Sequence, residues 1–519
     1  MRVFCLSRTS LDRRFIQGKR YKRKDVFYQL GGLSCSPCLY YTGKTCKIYQ
    51  KGAFPMTHSR FNSFFSRILF ARNIFVAALL LAASPAYSEN DNVFERTLAN
   101  GLKVVVKEDR RAPVATQMVW YRIGSVDEID GSSGLAHTLE HMMFKGTPKI
   151  GAGEFSRLVA AAGGRDNAFT SRDYTAYFQQ IPKEKLGEMM ALESDRMGHL
   201  SVAPEEFAQE IKVVMEERRM RTDDNPQALL FEQTNAVAFQ THPYRRPVIG
   251  WMDDLMHMTY DDAKAWHTTW YAPNNAILVV SGDVEHEAVF RLAERHYGSM
   301  KVQKLPVRRM QAEPTQRGIR RLVVKGPAEL PLLLMAWKTP KIERIGDGEP
   351  VDPYALDMLA AILDGHAAAR LPQRLVRERK IAANVGASYD NLGRGPALFY
   401  FYGSPLPGYT PEALEQAMRE EIADIAEHGV SEDELKRAKA QLIAGRVYAR
   451  DSVFGQAMEI GSMEVLGFSH QAIGAIIKRL EEVSADDIRA AARKWFEDDA
   501  LTVGVLEPIS LAKASARNN

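Results

Sequence analysis

The chain has 519 residues, more than one domain of ordinary size would use. Hydrophobic residues make up 45% and charged residues 25%, a balance that excludes a disordered chain, a collagen-like fibre and a polytopic membrane protein. The net charge of +4 conceals a split, because residues 1–88 hold 15 basic and 2 acidic side chains, whereas the rest holds 53 basic and 62 acidic ones. The acidic body argues against a general nucleic-acid binder, so no nucleic-acid partner is expected.

The first 88 residues predict a targeting sequence instead of a folded domain. Residues 74–83 are continuously apolar, but a membrane-spanning helix needs about 20 such residues. Arginines precede this run, and the small residues Ala86 and Ser88 follow it. The pattern is typical of a secretory signal peptide over 56–88 that is cleaved after Ser88, so we expect an exported protein, periplasmic or secreted. A buried core helix and an uncleaved anchor are the alternatives.

Residues 1–55 are unusual because they lie ahead of a signal peptide, which normally begins a chain. We interpret Met56 as the better start and expect 1–55 to be a disordered extension. This segment contains all four cysteines, Cys5, Cys35, Cys38 and Cys46. Cys35 and Cys38 have the spacing of a redox or zinc motif but lack a second pair. The exported protein would then have no cysteine, which suits an oxidising compartment.

The remaining sequence divides into two similar halves, 89–305 and 319–519. Each half begins with two predicted strands followed by a helical region. These segments are 102–108, 115–124 and 134–144 in the first half, and 320–325, 332–339 and 353–379 in the second. The joint at 300–318 contains two prolines and mostly charged or polar residues. Strands alternating with helices predict an α+β sandwich in each half, and hence a duplicated domain.

His137, Glu140 and His141 stand in the sequence His-Thr-Leu-Glu-His, inside the predicted helix 134–144. Residues three and four apart share one face of a helix, so both imidazoles and the carboxylate can point to one metal ion. Two neutral imidazoles suit zinc, and a catalytic zinc site needs a third protein ligand and an open position for water. The order of residues is that of the inverted zinc-protease signature. The alternative is a pair of structural histidines beside a surface glutamate.

The third ligand is expected to be a carboxylate on a second helix, predicted over 204–220. Glu210 and Glu217 lie two turns apart on one face of that helix, and Val213 and Val214 are expected to lie between them on the inward side. Three other acids of the helix are expected to be solvated. These are Glu205, Glu206 and Glu216. A solvated Glu210 or Glu217 is the alternative, and the upstream motif argues against it.

The motif, followed 76 residues after His141 by Glu217, resembles the pitrilysin/insulysin (insulinase) family of zinc endopeptidases, the inverzincins. The short bacterial members, which are similar to mitochondrial processing peptidases, resemble it most. The resemblance implies two homologous α+β domains, each a sheet backed by helices, that face each other as a clamshell. It also implies one Zn²⁺ per chain on His137, His141 and Glu217. Glu140 would be the base that activates water, and Glu210 would support the site.

The family resemblance extends to substrate-binding positions. The stretch 163–171 is similar to the family's edge strand, which adds the substrate backbone as a further strand, and Asn167 and Ala168 match the residues that bind it. A plain Gly-Gly turn entering a strand is the alternative. In the second half, Arg377 matches a substrate-contacting arginine of the family. Ala383 stands where the family's tyrosine is expected.

The second half has lost the metal ligands. The positions 228 residues after His137, Glu140, His141 and Glu217 hold residues that cannot bind zinc. These are Gly365, Ala368, Ala369 and Gly445.

Taken with the motif of the first half, the sequence predicts a zinc metalloendopeptidase that acts on peptides or unfolded segments. A non-catalytic binding or assembly subunit is the alternative. Because of Ala383, we expect a homologous subunit without the metal motif as partner, and otherwise a homodimer.

Overall fold

The computed structural model describes residues 92–309, 311–346 and 348–510. The predicted extension (1–55) and signal peptide (56–88) lie outside these residues. The described residues form one structural unit. None of the described helices has both the length and the apolar character that crossing a bilayer requires.

The first half is built on a sheet that has six strands in the described part of the chain. They are β1 (Val93–Thr97), β2 (Lys103–Glu108), β3 (Val114–Tyr121), β4 (Arg165–Thr170), β5 (Thr175–Pro182) and β6 (Ala276–Gly282). Their order across the sheet is β1-β2-β6-β3-β5-β4, and only β2 and β6 pair in parallel among them. β4 therefore forms an open edge.

Helices of the first half cover this sheet and extend beyond it. They are α1 (Leu135–Met142), α2 (Glu154–Ala161), α3 (Leu186–His199), α4 (Pro204–Arg218), α5 (Pro226–Ala238), α6 (Met252–His257), α7 (Tyr260–Trp270) and α8 (His286–Tyr297). α1 and α4 occupy the predicted helices at 134–144 and 204–220. β6 and α8 return to the first sheet before the chain passes to the second half.

The second half repeats this topology. Its strands are β7 (Arg320–Pro327), β8 (Leu332–Thr339), β9 (Ala382–Tyr389), β10 (Ala397–Pro405) and β11 (Leu501–Ile509), in the order β7-β11-β8-β10-β9. This order matches β2-β6-β3-β5-β4 strand for strand, including the parallel pair, here β7 with β11. The predicted duplication of an α+β domain is therefore confirmed.

The helices of the second half differ from the prediction at one point. They are α9 (Asp352–Asp364), α10 (Pro411–His428), α11 (Glu432–Ala449), α12 (Val453–Val465), α13 (Ala472–Glu482) and α14 (Ala485–Trp495). The helical region predicted over 353–379 is interrupted, because α9 ends at Asp364 and a π-helical turn follows at Pro372–Glu378. Gly365 and Pro372 lie at the two sides of the interruption, as expected from residues that disfavour continuation of a helix.

Each half lends one helix to the sheet of the other half. α12 packs on β3 and β6 of the first sheet, and α5 packs on β7 and β11 of the second. Both contacts are close. A Cβ atom added to Gly461 of α12 would lie 2.0 Å from Nε1 of Trp120, and one added to Gly504 of β11 would lie 2.3 Å from the hydroxyl of Thr234 in α5. The two halves are therefore held together by a reciprocal exchange of helices.

An ion-pair cluster strengthens the contact of α12 with the first sheet. Glu464 of α12 binds the ammonium of Lys103 at 2.7 Å and Nδ1 of His470 at 3.1 Å. Lys103 also binds Glu95 of β1 at 2.9 Å. Glu95, Glu464 and His470 have the spacing of metal ligands. The ammonium of Lys103 already binds both carboxylates, so the cluster is a salt-bridge network between the halves.

Candidate metal centre and active site

The helix α1 presents its motif residues on the side that faces away from the core. Leu135, Leu139 and Met142 are buried and hold the helix against α7 and the first sheet. The side chains of His137 and His141 remain 12% and 21% exposed. This division follows from the helical repeat, which separates the apolar positions from the histidines by about half a turn.

Glu217 of α4 comes together with both histidines. Its Oε2 lies 3.3 Å from Nε2 of His141 and 3.9 Å from Nε2 of His137. One ligand atom from each of the three residues can be chosen so that all lie within 4.8 Å of one another. The other oxygen of Glu217 binds Arg221 at 2.5 Å. Burial raises the pKa of Glu217, but the hydrogen bond with His141 and the nearby cations outweigh burial, so the pKa lies below its usual range.

The interpretation of Val213 as an inward residue of α4 is wrong. Val213 is 50% exposed, whereas Val214 is buried with Phe207 and Ile211. At about 100° per residue, the buried side of the helix is centred on these three residues, and Glu210 and Glu217 lie at its border with solvent. A border position lets both carboxylates reach α1 without full burial.

Glu210 contacts His141 from the side away from Glu217. Nδ1 of His141 lies 2.9 Å from Oε1 of Glu210, whose other oxygen binds the ammonium of Lys145. Burial disfavours a charged His141, but the hydrogen bonds to Glu210 and Glu217 outweigh burial and raise its pKa to about 9. A carboxylate that holds Nδ1–H leaves Nε2 free for a metal ion. Glu210 therefore lies against the ring nitrogen of His141 that is turned away from Glu217.

His137 has the properties of a neutral metal ligand. Burial lowers its pKa to about 4, with a further lowering by His141. Its Nδ1 is buried and has no hydrogen-bond partner among the residues that the structure describes. Two imidazole nitrogens and a carboxylate oxygen form the donor set of a three-residue catalytic zinc site. His137, His141 and Glu217 thus fit a zinc ion.

Glu140 lies on the same face of α1 and is held by Thr170, the last residue of β4. The hydroxyl of Thr170 donates to Oε2 of Glu140 at 2.5 Å. Burial raises the pKa of Glu140, and the hydrogen bond from Thr170 only partly offsets this. Thr170 did not emerge from the sequence, because a threonine at the end of a strand has no distinctive spacing relative to the motif.

β4 places Asn167 and Ala168 on the open edge of the first sheet. β4 pairs with β5 alone among the described strands, and it also contacts α1. The N–H of Ala168 donates to the side chain of Asn167 at 2.9 Å and is therefore not part of the ladder with β5. The edge that ends at Thr170 thus has a backbone group turned away from the sheet, beside the helix that carries Glu140.

Arg377 and Ala383 lie in the second half, on the π-helical turn and on β9. Arg377 is exposed and donates to Gln373 at 2.9 Å, and none of its described contacts involves the metal centre. Ala383 is exposed on β9, which is the edge strand of the second sheet. In the described part of the second half, no group of residues has the spacing of metal ligands except Glu464 and His470 with Glu95.

Comparison with known proteins places these residues in a family. A family model described as insulinase (peptidase family M16) matches residues 103–251, and one described as peptidase M16 inactive domain matches residues 257–442. Zinc protease PqqE of Helicobacter pylori is 32% identical over 417 residues, which cover 79% of this chain and 92% of that protein. The beta subunit of the mitochondrial-processing peptidase of Lentinula edodes is 28% identical over 420 residues, with 78% and 88% covered.

A solved structure agrees with the sequence relatives. The crystal structure of a protease from Helicobacter pylori superposes with a TM-score of 0.76 at 31% identity, covering 80% of this chain and 99% of that one. The match spans nearly all of the solved chain, so it includes both halves of the described fold. Together with the two matching family models, this similarity confirms the resemblance that the motif carries: the chain belongs to the insulinase family of peptidases, peptidase family M16.

Proposed function

We propose that this protein is a zinc-dependent metalloendopeptidase that hydrolyses peptides or unfolded polypeptide segments. The observation that supports this most is the convergence of His137, His141 and Glu217 beside the carboxylate of Glu140. One zinc ion per chain would be held by the first three residues. When bound, zinc would act as a Lewis acid that polarises the scissile carbonyl and lowers the pKa of water, so that water can lose a proton near neutral pH.

Glu140 would act as the general base. Its carboxylate accepts the proton of the attacking water and then donates that proton to the leaving amine. A raised pKa suits this role, because the group must both take up and release a proton near neutral pH. Thr170 would keep the carboxylate oriented through its hydrogen bond to Oε2. Glu210 would orient His141 in the same manner.

The substrate would bind as an additional strand on the open edge of β4. The exposed Asn167 and the N–H of Ala168, which donates to the Asn167 side chain and not to β5, support this placement. Backbone pairing recognises an extended chain with little regard for its side chains, which suits peptides and unfolded segments. Because β4 ends at Thr170, a strand added there would run next to Glu140.

Substitution of Thr170 tests the role of β4 in holding the base. Thr170→Val removes the hydroxyl while keeping the shape, and we expect a decrease in kcat of about 10- to 150-fold, the effect of one lost hydrogen bond to a charged group. Zinc content should not change, because Thr170 contacts no metal ligand. Thr170→Ser is the matched control and should retain most of the activity. A valine variant with the turnover of the natural protein would contradict this role.

Removal of the metal tests the proposed function itself. We expect 1,10-phenanthroline to abolish hydrolysis of an unfolded peptide and added zinc to restore it, since the polarising ion is lost and regained. The non-chelating isomer 1,7-phenanthroline is the matched control. Cleavage and zinc content should be measured on the same samples. Cleavage that persists in protein shown to contain no metal would refute the proposal and favour a binding or assembly subunit.

We further propose that the protein is exported and that a homologous subunit completes its active unit. Export rests on the apolar segment 74–83 and the small residues that follow it.

The subunit is proposed because Ala383 cannot supply the hydrogen bond of the tyrosine expected there, and a chain of the same fold could supply it in trans. Mitochondrial-processing peptidase beta, a relative of this chain, is itself named as a subunit. Arg377 would contact the substrate from the second half.

One preparation tests both proposals. The tagged chain, purified from its own host, should begin at Glu89 and should elute with a homologue that lacks the His-Thr-Leu-Glu-His motif. N-terminal sequencing and the mass in solution are the measurements. An N-terminus at Met1 or Met56 would contradict export. A monomeric chain whose turnover does not change on addition of any homologue would contradict the subunit.

A further inference from the structure

The start of α1 lacks the side chain that normally caps a helix. Its N-cap residue is Gly134, which has a φ of +86° and no side-chain hydrogen bond. A larger residue would not fit, because a Cβ atom here would lie 2.6 Å from the carbonyl oxygen of Ile249. The first N–H groups of a helix need acceptors from outside the helix, and a serine or aspartate at the N-cap usually provides one. At α1, the lack of space at Gly134 excludes a side chain at the N-cap.

Glu128 provides the missing acceptors from six residues upstream. Its Oε2 accepts the N–H of Gly134 at 3.0 Å, and its Oε1 accepts the N–H of Ala136 at 2.8 Å. Only 4% of the residue is exposed. Within the described part of the chain, its carboxylate forms no ion pair with a basic side chain; instead, Arg246 donates to the backbone oxygen of Glu128 at 2.5 Å. The buried carboxylate is thus directed entirely at the beginning of α1.

The position of the cap matters because α1 is short. The helix has eight residues, and His137 is the third of them, directly after Ala136. A short helix has little stability of its own and depends on its ends and its packing. Fraying of the first turn would therefore move His137, whereas His141 in the last turn is held separately by Glu210.

The backbone at 249–250, which packs against Gly134, also contacts α4, the helix that carries the third ligand. Gly250 follows Ile249, and its carbonyl oxygen accepts from Arg218 at 2.8 Å. Arg218 is the last residue of α4 and follows Glu217 directly, and it is also paired with Glu232 at 2.8 Å. The backbone at 249–250 thus touches the start of α1 and the end of α4. The relative position of the two ligand-bearing helices depends on this contact.

We propose that Glu128 is a positioning residue that sets the metal affinity of the site by capping the first turn of α1 and holding His137 in place. This inference rests on the proposed function, because it takes His137, His141 and Glu217 as the zinc ligands. A residue that orients a metal ligand without touching the metal typically changes affinity by about 10- to 100-fold. We expect an effect of this size from loss of the cap.

The test measures zinc affinity and not activity. Zinc should be titrated into metal-free chain against a competing chelator, at a temperature well below the unfolding midpoint of every variant. Glu128→Ala should raise the Kd for zinc by about 10- to 100-fold. Glu128→Gln keeps the size of the side chain but replaces one of the two acceptor oxygens with an amide nitrogen, which donates. Glu128→Gln, with one acceptor oxygen, should fall between the natural protein and Glu128→Ala.

Glu205→Ala is the matched control, because Glu205 is an exposed acid in the first turn of the other ligand-bearing helix. It should change the Kd by less than about twofold, as expected from an exposed charge at a helix end. A Glu128→Ala variant with a lower unfolding midpoint but an unchanged Kd would show a purely structural role and overturn the inference. If Glu128→Ala does not fold, Glu128→Gln decides by the same criterion. Failure of the natural protein to bind zinc would instead refute the proposed function.

Discussion

Replacing Glu140 with glutamine should leave zinc bound and reduce peptide hydrolysis by about 100- to 10,000-fold, the range of a lost general base. The amide keeps the size of the side chain and can still contact the hydroxyl of Thr170, but it cannot accept the proton of water. Glu140 is not one of the three residues whose ligand atoms converge, so metal affinity should be nearly unchanged. Zinc content and kcat measured on one preparation check both parts.

Replacing Glu217 with glutamine should instead lower zinc affinity, because the substitution removes the charged oxygen that lies 3.3 Å from His141. Glu216→Gln is the matched control, since Glu216 is the neighbouring residue, has a side chain that is 60% exposed and pairs with Arg219. That variant should keep both zinc and turnover. Loss of zinc from Glu140→Gln, or full zinc and turnover in Glu217→Gln, would show that the two roles have been assigned wrongly.

The second large effect is expected at Gly461, where α12 crosses the first sheet. Gly461→Val should destabilise the protein by at least about 1–3 kcal/mol, the usual effect of overpacking a filled core. The valine side chain would overlap the ring of Trp120, which is fully buried on the first sheet and has no room to move aside. α12 would therefore separate from β3. Urea unfolding followed by tryptophan fluorescence should show a lower midpoint.

Gly474→Ala separates this steric effect from the general effect of replacing a helical glycine. Gly474 lies in α13, and a Cβ atom there would meet nothing within 4 Å. The alanine should stabilise the protein by up to about 1 kcal/mol, because glycine is a poor helix former. An unfolding midpoint of Gly461→Val equal to that of the natural protein would mean that α12 does not approach the sheet as described.

The sequence by itself determined those features that depend on neighbouring residues. The spacing of His137, Glu140 and His141 places three functional groups on one face of a helix, whatever surrounds it, because the helical repeat is local. Apolar runs predicted β2, β3, β7 and β8 for the same reason. The duplication was also visible in the order of the predicted elements, although loops of different length obscured the register.

Only the tertiary structure decided which distant groups complete the site. Thr170 and Glu128 contact α1 from a strand and from a loop, and nothing in their spacing relative to the motif indicates it. The orientation of α4 also comes from its packing, which turns Val213 to solvent and leaves Glu210 and Glu217 at the border. The exchange of α5 and α12 between the halves requires glycine at 461 and 504, where the partner element approaches closely. In the sequence, neither glycine differs from any other glycine in a helix or strand. Such contacts join residues far apart in the chain, so their energy comes from packing and not from any local pattern.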